Sequence, residues 1–300
     1  MSRLGTAAVL LAAGLLLAAY ATSGLTISPF GFGSSSGPLG GMVATQPEAG
    51  PGSSVDQIFQ AKRIRLDDLV AEVELVVAPA EAVRVLAKGK PDAMKKLQIR
   101  QVGDELQIVQ SRARGQGWQV LGWTVFGIQA NEEEVSDLRL TITAPPGTPY
   151  EIEDMVGKIN AGDLDAPVSM GATSASGKIG RVKSADIDIT GSGDLEFGAV
   201  TDGLKLAIAG AGSLKAAEVN GAVEVAIAGS GRVEVAAGTA SSFDVDIAGT
   251  GDVAFKGHVV NPSVSIAGSG EVVLNTYSGE LDQSIMGSGN VRIIGGQRTF

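Results

Sequence analysis

The sequence predicts an all-β solenoid, a chain wound into stacked coils. Between residues 187 and 294, six segments each carry a Gly-x-Gly flanked by alternating apolar residues. The first glycines of these motifs follow one another at intervals of 19, 19, 20, 19 and 19 residues: Gly191, Gly210, Gly229, Gly249, Gly268 and Gly287. A fixed period of this length is typical of one structural unit stacked on copies of itself.

The even positions around each first glycine are predicted to form the core, because residues of one parity share a face of an extended chain. Two residues before the glycine, every unit has an isoleucine: Ile189, Ile208, Ile227, Ile247, Ile266 and Ile285. Four residues after it stand Leu195, Leu214, Val233, Val253, Val272 and Val291. Both glycines share the inward parity, so we expect that a bulky residue at Gly229 does not fit.

The odd positions are predicted to face solvent, and they differ on the two sides of the glycines. After the glycines the outward column is polar and of mixed charge: Asp194, Ser213, Arg232, Asp252, Glu271 and Asn290. Before them it is mostly small: Thr190, Ala209, Ala228, Ala248, Ala267 and Met286. A flat strip of small residues is a candidate docking surface, unless the N-terminal strands of the chain itself cover it.

Residues 1–21 are predicted to be a signal peptide. Arg3 precedes an apolar run from Leu4 to Tyr20, and Ala21 completes a small-x-small site suited to signal peptidase. The run is also about as long as the shortest membrane-spanning helices, near 17 residues, so an uncleaved anchor is the alternative.

The segments before the repeats are predicted to be strands that open the solenoid. LQIRQ and ELQIVQS, joined by Val-Gly-Asp, are typical of a hairpin, and PDAMKKL predicts a short helical turn that starts at Pro91. The predicted organisation is a Gly/Ser/Pro-rich linker at 22–54 and one folded domain at 55–296, divided into an irregular N-terminal part at 55–150 and repeat coils at 151–296.

Composition excludes several classes of function. Cysteine is absent, which excludes disulfides, thiol nucleophiles and cysteine-ligated metals. Cleavage of residues 1–21 removes one basic residue, which lowers the 23 basic residues to 22 against 33 acidic ones. Nucleic acid and anionic lipid surfaces repel a chain of that charge. An exported protein without disulfides is expected in the periplasm, the outer membrane or the cell surface of a bacterium.

The repeats predict no cofactor, metal or catalytic site. Arg232 stands in the same column as Asp194, Asp252 and Glu271, which argues against calcium bound between coils. The lone histidine, His258, has no partner in the repeat pattern. One enzymatic alternative stays open, a polysaccharide lyase or hydrolase that uses the outward carboxylates of Asp186, Asp188, Asp244 and Asp246.

Residues 112–131 differ from the rest because they contain both tryptophans of the protein. Trp118 and Trp123, with Phe126 close by, predict a surface that binds a carbohydrate, a membrane interface or a protein partner. The alternative is a long hairpin whose aromatic side chains plug the open end of the coil.

Several segments together carry a family resemblance: LDDLVAEVELVVAPAEAVRVLAKGK, LQIRQVGDELQIV, LRLTITAP, Gly157-Lys158-Ile159-Asn160 and the Gly-Ser-Gly-x-Val units. Over roughly residues 58 to 295 the chain resembles the bacterial family described as putative auto-transporter adhesin, head GIN domain. The resemblance implies a single-stranded, right-handed parallel β-helix with an irregular N-terminal β cap. It also implies a role in adhesion without catalytic residues. Residues 112–131 look like an insertion, and we expect no room for a translocating barrel.

These observations predict a non-enzymatic exported protein of the envelope or cell surface, which presents a rigid β-solenoid as an adhesin or binding module. Its expected partner is a protein or carbohydrate surface ligand and not nucleic acid. The alternative is a periplasmic scaffold or envelope-stress component that forms homo-oligomers through the alanine strip or the open last coil at 291–294.

Overall fold

The computed structural model describes residues 54–111, 118–120, 123–125 and 137–297. These residues form a β-solenoid of about eight turns with almost no helix, which confirms the predicted all-β parallel architecture. The predicted signal peptide and nearly all of the predicted linker lie outside the described residues.

The N-terminal part contains nine strands and one short helix among the described residues. The strands are β1 (Ser54–Phe59), β2 (Arg63–Asp67), β3 (Val70–Val77), β4 (Val83–Gly89), β5 (Leu97–Val102), β6 (Glu105–Gln110), β7 (Trp118–Val120), β8 (Trp123–Val125) and β9 (Leu138–Ala144). Helix α1 (Pro91–Lys96) starts at the predicted proline, and β5 and β6 form the predicted antiparallel hairpin.

The repeat coils contain the remaining strands. They are β10 (Tyr150–Ala161), β11 (Val168–Ile179), β12 (Ala185–Gly191), β13 (Asp194–Val200), β14 (Leu204–Gly210), β15 (Ser213–Gly229), β16 (Arg232–Val235), β17 (Gly238–Gly249), β18 (Asp252–Val260), β19 (Pro262–Gly268), β20 (Glu271–Ser278), β21 (Asp282–Gly287) and β22 (Asn290–Gln297). Every pairing between these strands is parallel.

Two long sheets and a short one form the wall of each coil. Sheet A holds the residues before the glycines, in the order β5-β6-β2-β10-β11-β12-β14-β15-β17-β19-β21. Sheet B holds the residues after them, in the order β1-β4-β9-β3-β10-β11-β13-β15-β16-β18-β20-β22. Sheet C is a short ladder around residues 219–221, 238–240, 258–260 and 276–278.

The core consists of apolar columns that run through the stack. The six predicted isoleucines oppose one another in register in sheet A, and the first five are 2% exposed or less. The predicted leucine and valine column does the same in sheet B. Burial of each such side chain contributes about 1.5–3 kcal/mol, so stability is distributed along the ladder.

The corner between sheets A and B requires glycine. Gly229 has φ +130°, and a Cβ there would lie 2.3 Å from the carbonyl oxygen of Gly210 in the preceding coil. The first glycine therefore faces along the stack, and not into the core as its parity predicted. The second glycine does face the core, since a Cβ on Gly231 would lie 2.9 Å from Cγ2 of Ile208.

The N-terminal strands extend the stack and do not cover its faces. β6 pairs with β2 and β9 with β3, and the antiparallel strands β5, β4 and β1 follow at the edges. The sequence left open whether these strands cover the strip of small residues from Thr190 to Met286. Among the described residues they do not, so that alternative is wrong. The outer face of sheet A remains accessible along the repeat coils.

Candidate interaction surfaces

The outer face of sheet A carries a column of small residues. Thr190, Ala209, Ala228, Ala248, Ala267 and Met286 oppose one another in register, and none of them is buried. Neighbouring rungs are about 4.8 Å apart, so the column is a regular, shallow strip. Its four alanines, Ala209, Ala228, Ala248 and Ala267, present only methyl groups to the outside.

Carboxylates lie beside the strip. Asp188 and Asp246 share one column and are separated in it by Ala207 and Ala226. Partial desolvation by the surrounding protein raises the pKa of Asp188, and the charge of Asp186 raises it further. Desolvation followed by the charge of Asp244 likewise raises the pKa of Asp246, although both aspartates stay exposed.

Asp188 and Asp246 lie too far apart to act together in glycoside hydrolysis. Three rungs separate Asp188 from Asp246, which places their backbones about 14 Å apart. Paired carboxylates of glycosidases act about 5–9.5 Å apart across one bond. Asp188 and Asp246 therefore do not flank one glycosidic bond, whereas Asp186 and Asp188, two residues apart on one strand face, lie about 7 Å apart.

The outer face of sheet B is crossed by ion pairs between neighbouring coils. Nζ of Lys178 lies 2.6 Å from Oε2 of Glu196, and Nζ of Lys256 lies 2.5 Å from Oε1 of Glu234. The lysine hydrogen bonds lower the pKa of both glutamates. Sheet B thus satisfies its charges within its own surface.

The polar column after the glycines is also paired between neighbouring coils. Arg232 donates to Asp252 at 3.0 Å, and Nε of Arg292 lies 3.3 Å from Oε1 of Glu271. The remaining acidic member, Asp194, accepts a hydrogen bond from the Ser213 hydroxyl. These carboxylates are oriented by side chains of neighbouring coils.

The predicted aromatic surface lies on an antiparallel hairpin. Trp118 opposes Val125 and Val120 opposes Trp123 across β7 and β8, while Phe126 lies outside the described residues. The segment connects the end of β6 in sheet A to the start of β9 in sheet B. The two strand ends that the segment joins, Gln110 and Leu138, lie at the corner between the two sheets, near the N-terminal end.

An acidic cluster that the sequence analysis missed lies at the same corner. Carboxylate oxygens of Asp67, Asp68 and Asp154 lie within 4.8 Å of one another. Asp68 and Asp154 both have positive φ, at 55° and 50°. The two residues occupy equivalent corners of neighbouring coils. The sequence feature that could have indicated the cluster is an aspartate preceded by an acidic residue in two segments, LDDL and IEDM. Asp67 and Asp68 are half-buried and Asp154 is exposed, and a carboxylate cluster does not by itself define a metal site.

His258 has partners that the repeat pattern did not predict. Its Nδ1 lies 3.0 Å from Oγ1 of Thr276 and its Nε2 lies 3.2 Å from Oγ of Ser278. All three residues stand in sheet C, where β18 pairs with β20. The ring bridges hydroxyls of the next coil, which is a structural role at the coil wall.

The geometry defines a class of protein: a parallel β-solenoid whose described residues form long, regular outer faces. The chain belongs to the family described as putative auto-transporter adhesin, head GIN domain, whose model matches residues 68–258 and 186–296. The sequence resemblance is thereby confirmed.

Several solved structures are similar to this chain at low sequence identity. A crystal structure of a putative adhesin from Parabacteroides distasonis shares 14% identity, covers 81% of this chain and 97% of its own, and has a TM-score of 0.46. A putative adhesin from Bacteroides fragilis shares 13% identity over 82% of this chain and 97% of its own, with a TM-score of 0.44. A putative lipid binding protein from Parabacteroides distasonis shares 17% identity over 81% and 97%, with a TM-score of 0.40.

A comparison with curated proteins finds no match. Among the described residues, no helix has the length and apolar character needed to cross a membrane. The predicted apolar run from Leu4 to Tyr20 lies outside these residues.

Proposed function

We propose that this protein is a non-enzymatic, adhesin-like protein, exported to the periplasm, outer membrane or cell surface, that binds its partner through the outer face of sheet A. One observation carries the proposal. The small residues of sheet A form an accessible strip in register along the repeat coils, beside the carboxylates of Asp188 and Asp246. A flat strip of this kind lets a partner approach the backbone closely over several coils.

The contrast with sheet B supports the choice of face. Sheet B occupies its charged groups in pairs such as Lys178–Glu196 and Lys256–Glu234. A partner that docked there would have to break these pairs and desolvate both members. Docking on the four alanines of the sheet A column, Ala209, Ala228, Ala248 and Ala267, carries no such cost, because they have no polar side chain to desolvate.

We assign the ligand to the class of protein or carbohydrate surface ligands. The acidic balance of the chain, 33 acidic against 23 basic residues, disfavours nucleic acid and anionic lipid. The hairpin with Trp118 and Trp123 supplies a second contact region at the N-terminal end of the solenoid. Aromatic rings pack well against the apolar faces of sugars and of protein side chains.

The test is a matched pair of alanine substitutions. Ala228 and Ala254 are both half-buried and point outward, the first on sheet A and the second on sheet B. Labelled full-length protein is bound to intact bacterial cells and to immobilised glycans. We expect Ala228→Arg to weaken binding at least about tenfold because the long side chain stands in the strip, and Ala254→Arg to bind normally. Equal binding by the two variants would refute the assignment to sheet A.

The hairpin is tested by replacing Trp118 and Trp123 with serine. An unchanged melting temperature with weakened binding supports recognition by the aromatic rings. A lowered melting temperature supports the plug interpretation, in which the hairpin stabilises the N-terminal end.

A second candidate is a self-associating envelope scaffold. It is favoured by Ile285, which is 40% exposed in the last described coil, whereas its equivalent Ile266 is 1% exposed. A deletion strain separates the two candidates. Loss of surface attachment with an intact envelope supports the adhesin, and a permeable envelope with normal attachment supports the scaffold.

A further inference from the structure

The two ends of the solenoid carry complementary edges. Sheets A and B end in β5 and β1 at the N-terminal end and in β21 and β22 at the C-terminal end. Four large apolar side chains are exposed among the described residues, and all lie on these edge strands: Ile58 (69%), Val102 (44%), Ile285 (40%) and Ile294 (65%). Unpaired edges that also expose apolar side chains are the places where strands of another chain add to a sheet.

In sheet A, opposite charges occupy the two ends of one column. Arg100 stands on β5 and Asp282 on β21, and both are exposed. The register joins them through Gln107, Arg65, Glu151, Ser169, Asp186, Lys205, Glu224, Asp244 and Ser263. A copy stacked without lateral shift would therefore bring an arginine beside an aspartate.

In sheet B, one column also has opposite charges at its two ends, but here the acidic residue is at the N-terminal end and the basic residue at the C-terminal end. Asp56 on β1 and Arg292 on β22 are the ends of one outward column. The register joins them through Leu86, Thr141, Glu74, Asn160, Lys178, Glu196, Lys215, Glu234, Ala254 and Val273. In the neighbouring inward column the two ends are Val55 and Val291, which are both half-buried.

We propose that copies of this chain associate head to tail, with the C-terminal edges β21 and β22 of one copy against the N-terminal edges β5 and β1 of the next. The joint continues both sheets, because β22 runs parallel to β1 and β21 antiparallel to β5. It places Asp282 beside Arg100, Arg292 beside Asp56 and Val291 beside Val55.

Each side chain class has its own part in the joint. The apolar residues of the last coil, led by Ile285, lose water when a second copy covers them. The exposed charges select the partner end and fix the register more than they add affinity, because surface pairs are weak. Since the two surfaces are different, the contact is heterologous. Because the joint continues the direction of stacking, it leads to open growth and not to a closed dimer.

The experiment measures the mass of the full-length protein in solution. Sedimentation velocity over a concentration series should show species that grow beyond dimers. Arg100→Asp and Asp282→Arg should each weaken association at least about tenfold, because both place like charges at the joint. An equimolar mixture of the two variants should restore it, since aspartate at 100 then meets arginine at 282.

Asp244→Arg is the matched control. It makes the same charge change as Asp282→Arg, in the same outward column of sheet A but in the middle of the stack. It should associate like the original protein. Circular dichroism of each variant excludes misfolding as a cause.

Three results would overturn the proposal: a strict monomer at every concentration, growth that stops at a dimer, or an equal loss in the Asp244→Arg control. The first is expected if residues 1–53 or 298–300 cover the ends, and the second if two copies join at like ends. The proposal is independent of ligand binding by sheet A, because Ala228→Arg should leave the mass distribution unchanged.

Discussion

The outer faces of sheets A and B are built on the same coils, yet their chemistry is opposite. On sheet A, alanines fill one column, and desolvation raises the pKa of Asp188 and Asp246. On sheet B, lysines of neighbouring coils lower the pKa of Glu196 and Glu234. The stacking of the core fixes the backbone of both faces alike. The outward side chains are free to differ, so sheet B carries lysine–glutamate pairs between neighbouring coils where sheet A carries a column of small residues.

The largest expected effect comes from breaking the corner that separates the two faces. Gly229→Ala forces a left-handed φ of +130° on alanine and places Cβ 2.3 Å from the Gly210 carbonyl oxygen. We expect a loss of about 3 kcal/mol or more in the free energy of unfolding, measured by urea denaturation. Gly103→Ala is the control, because Gly103 has φ +58° with nothing within 4 Å of the added Cβ. Similar losses for both variants would show that stacking of the coils does not constrain Gly229.

An intermediate effect on the free energy of unfolding is expected from removing carboxylates, and its sign at pH 7 should differ between the two faces. The folded-state pKa of Asp188 and Asp246 is raised, so their ionisation opposes folding above that pKa, and the cost disappears as pH falls through it. Replacing both by asparagine should therefore stabilise the protein at pH 7, and the gain should vanish below about pH 4.

Sheet B should respond with the opposite sign. The folded-state pKa of Glu196 and Glu234 is lowered, so their contribution to stability is present above the unfolded value and is lost as pH falls through the folded one. Replacing both by glutamine should destabilise the protein at pH 7 and have no effect in strong acid. Urea denaturation at several pH values checks both pairs, and shifts of equal sign would contradict the contrast between the faces.

The smallest effect is expected from single ion pairs of sheet B. Lys256→Ala removes the partner of Glu234, but the two side chains are 55% and 37% exposed, and such pairs are weak. We expect a slight fall in melting temperature at low ionic strength that about 1 M salt abolishes, because salt screens exposed charges. A large or salt-independent fall would mean that the lysine stem packs against the coil.

The sequence was sufficient to predict the repeat coils because the spacing of the glycines determines which residues of neighbouring coils pair. A shift of one residue at Ile227 would turn a core isoleucine outward, so parity separates inside from outside within the strands, although not at the first glycine of the corner. The candidate strip at Ala228 and Ala248 follows from the same rule. Its accessibility did not follow, because it depends on where the N-terminal strands pack.

The N-terminal part was less predictable because it lacks a repeated motif. Strands β4 and β5 are antiparallel to the coils, whereas β6 and β9 are parallel, and alternation within a strand does not distinguish these pairings. The bridge from His258 to Ser278 was missed for a related reason. It joins residues 20 positions apart in sheet C, whose strands are too short to show a period.

The most direct test of the account is a disulfide scan across the rungs of sheet A, which is clean because the chain has no cysteine. Ala228 and Ala248 oppose each other on adjacent rungs, while Ala209 lies one rung further from Ala248. Adjacent rungs are about 4.8 Å apart, and a disulfide cannot join Cα atoms more than about 7 Å apart. Stacked coils predict oxidation to a disulfide in Ala228→Cys/Ala248→Cys and free thiols in Ala209→Cys/Ala248→Cys. Free thiols in the first variant, or a disulfide in the second, would contradict the stacking on which both outer faces depend.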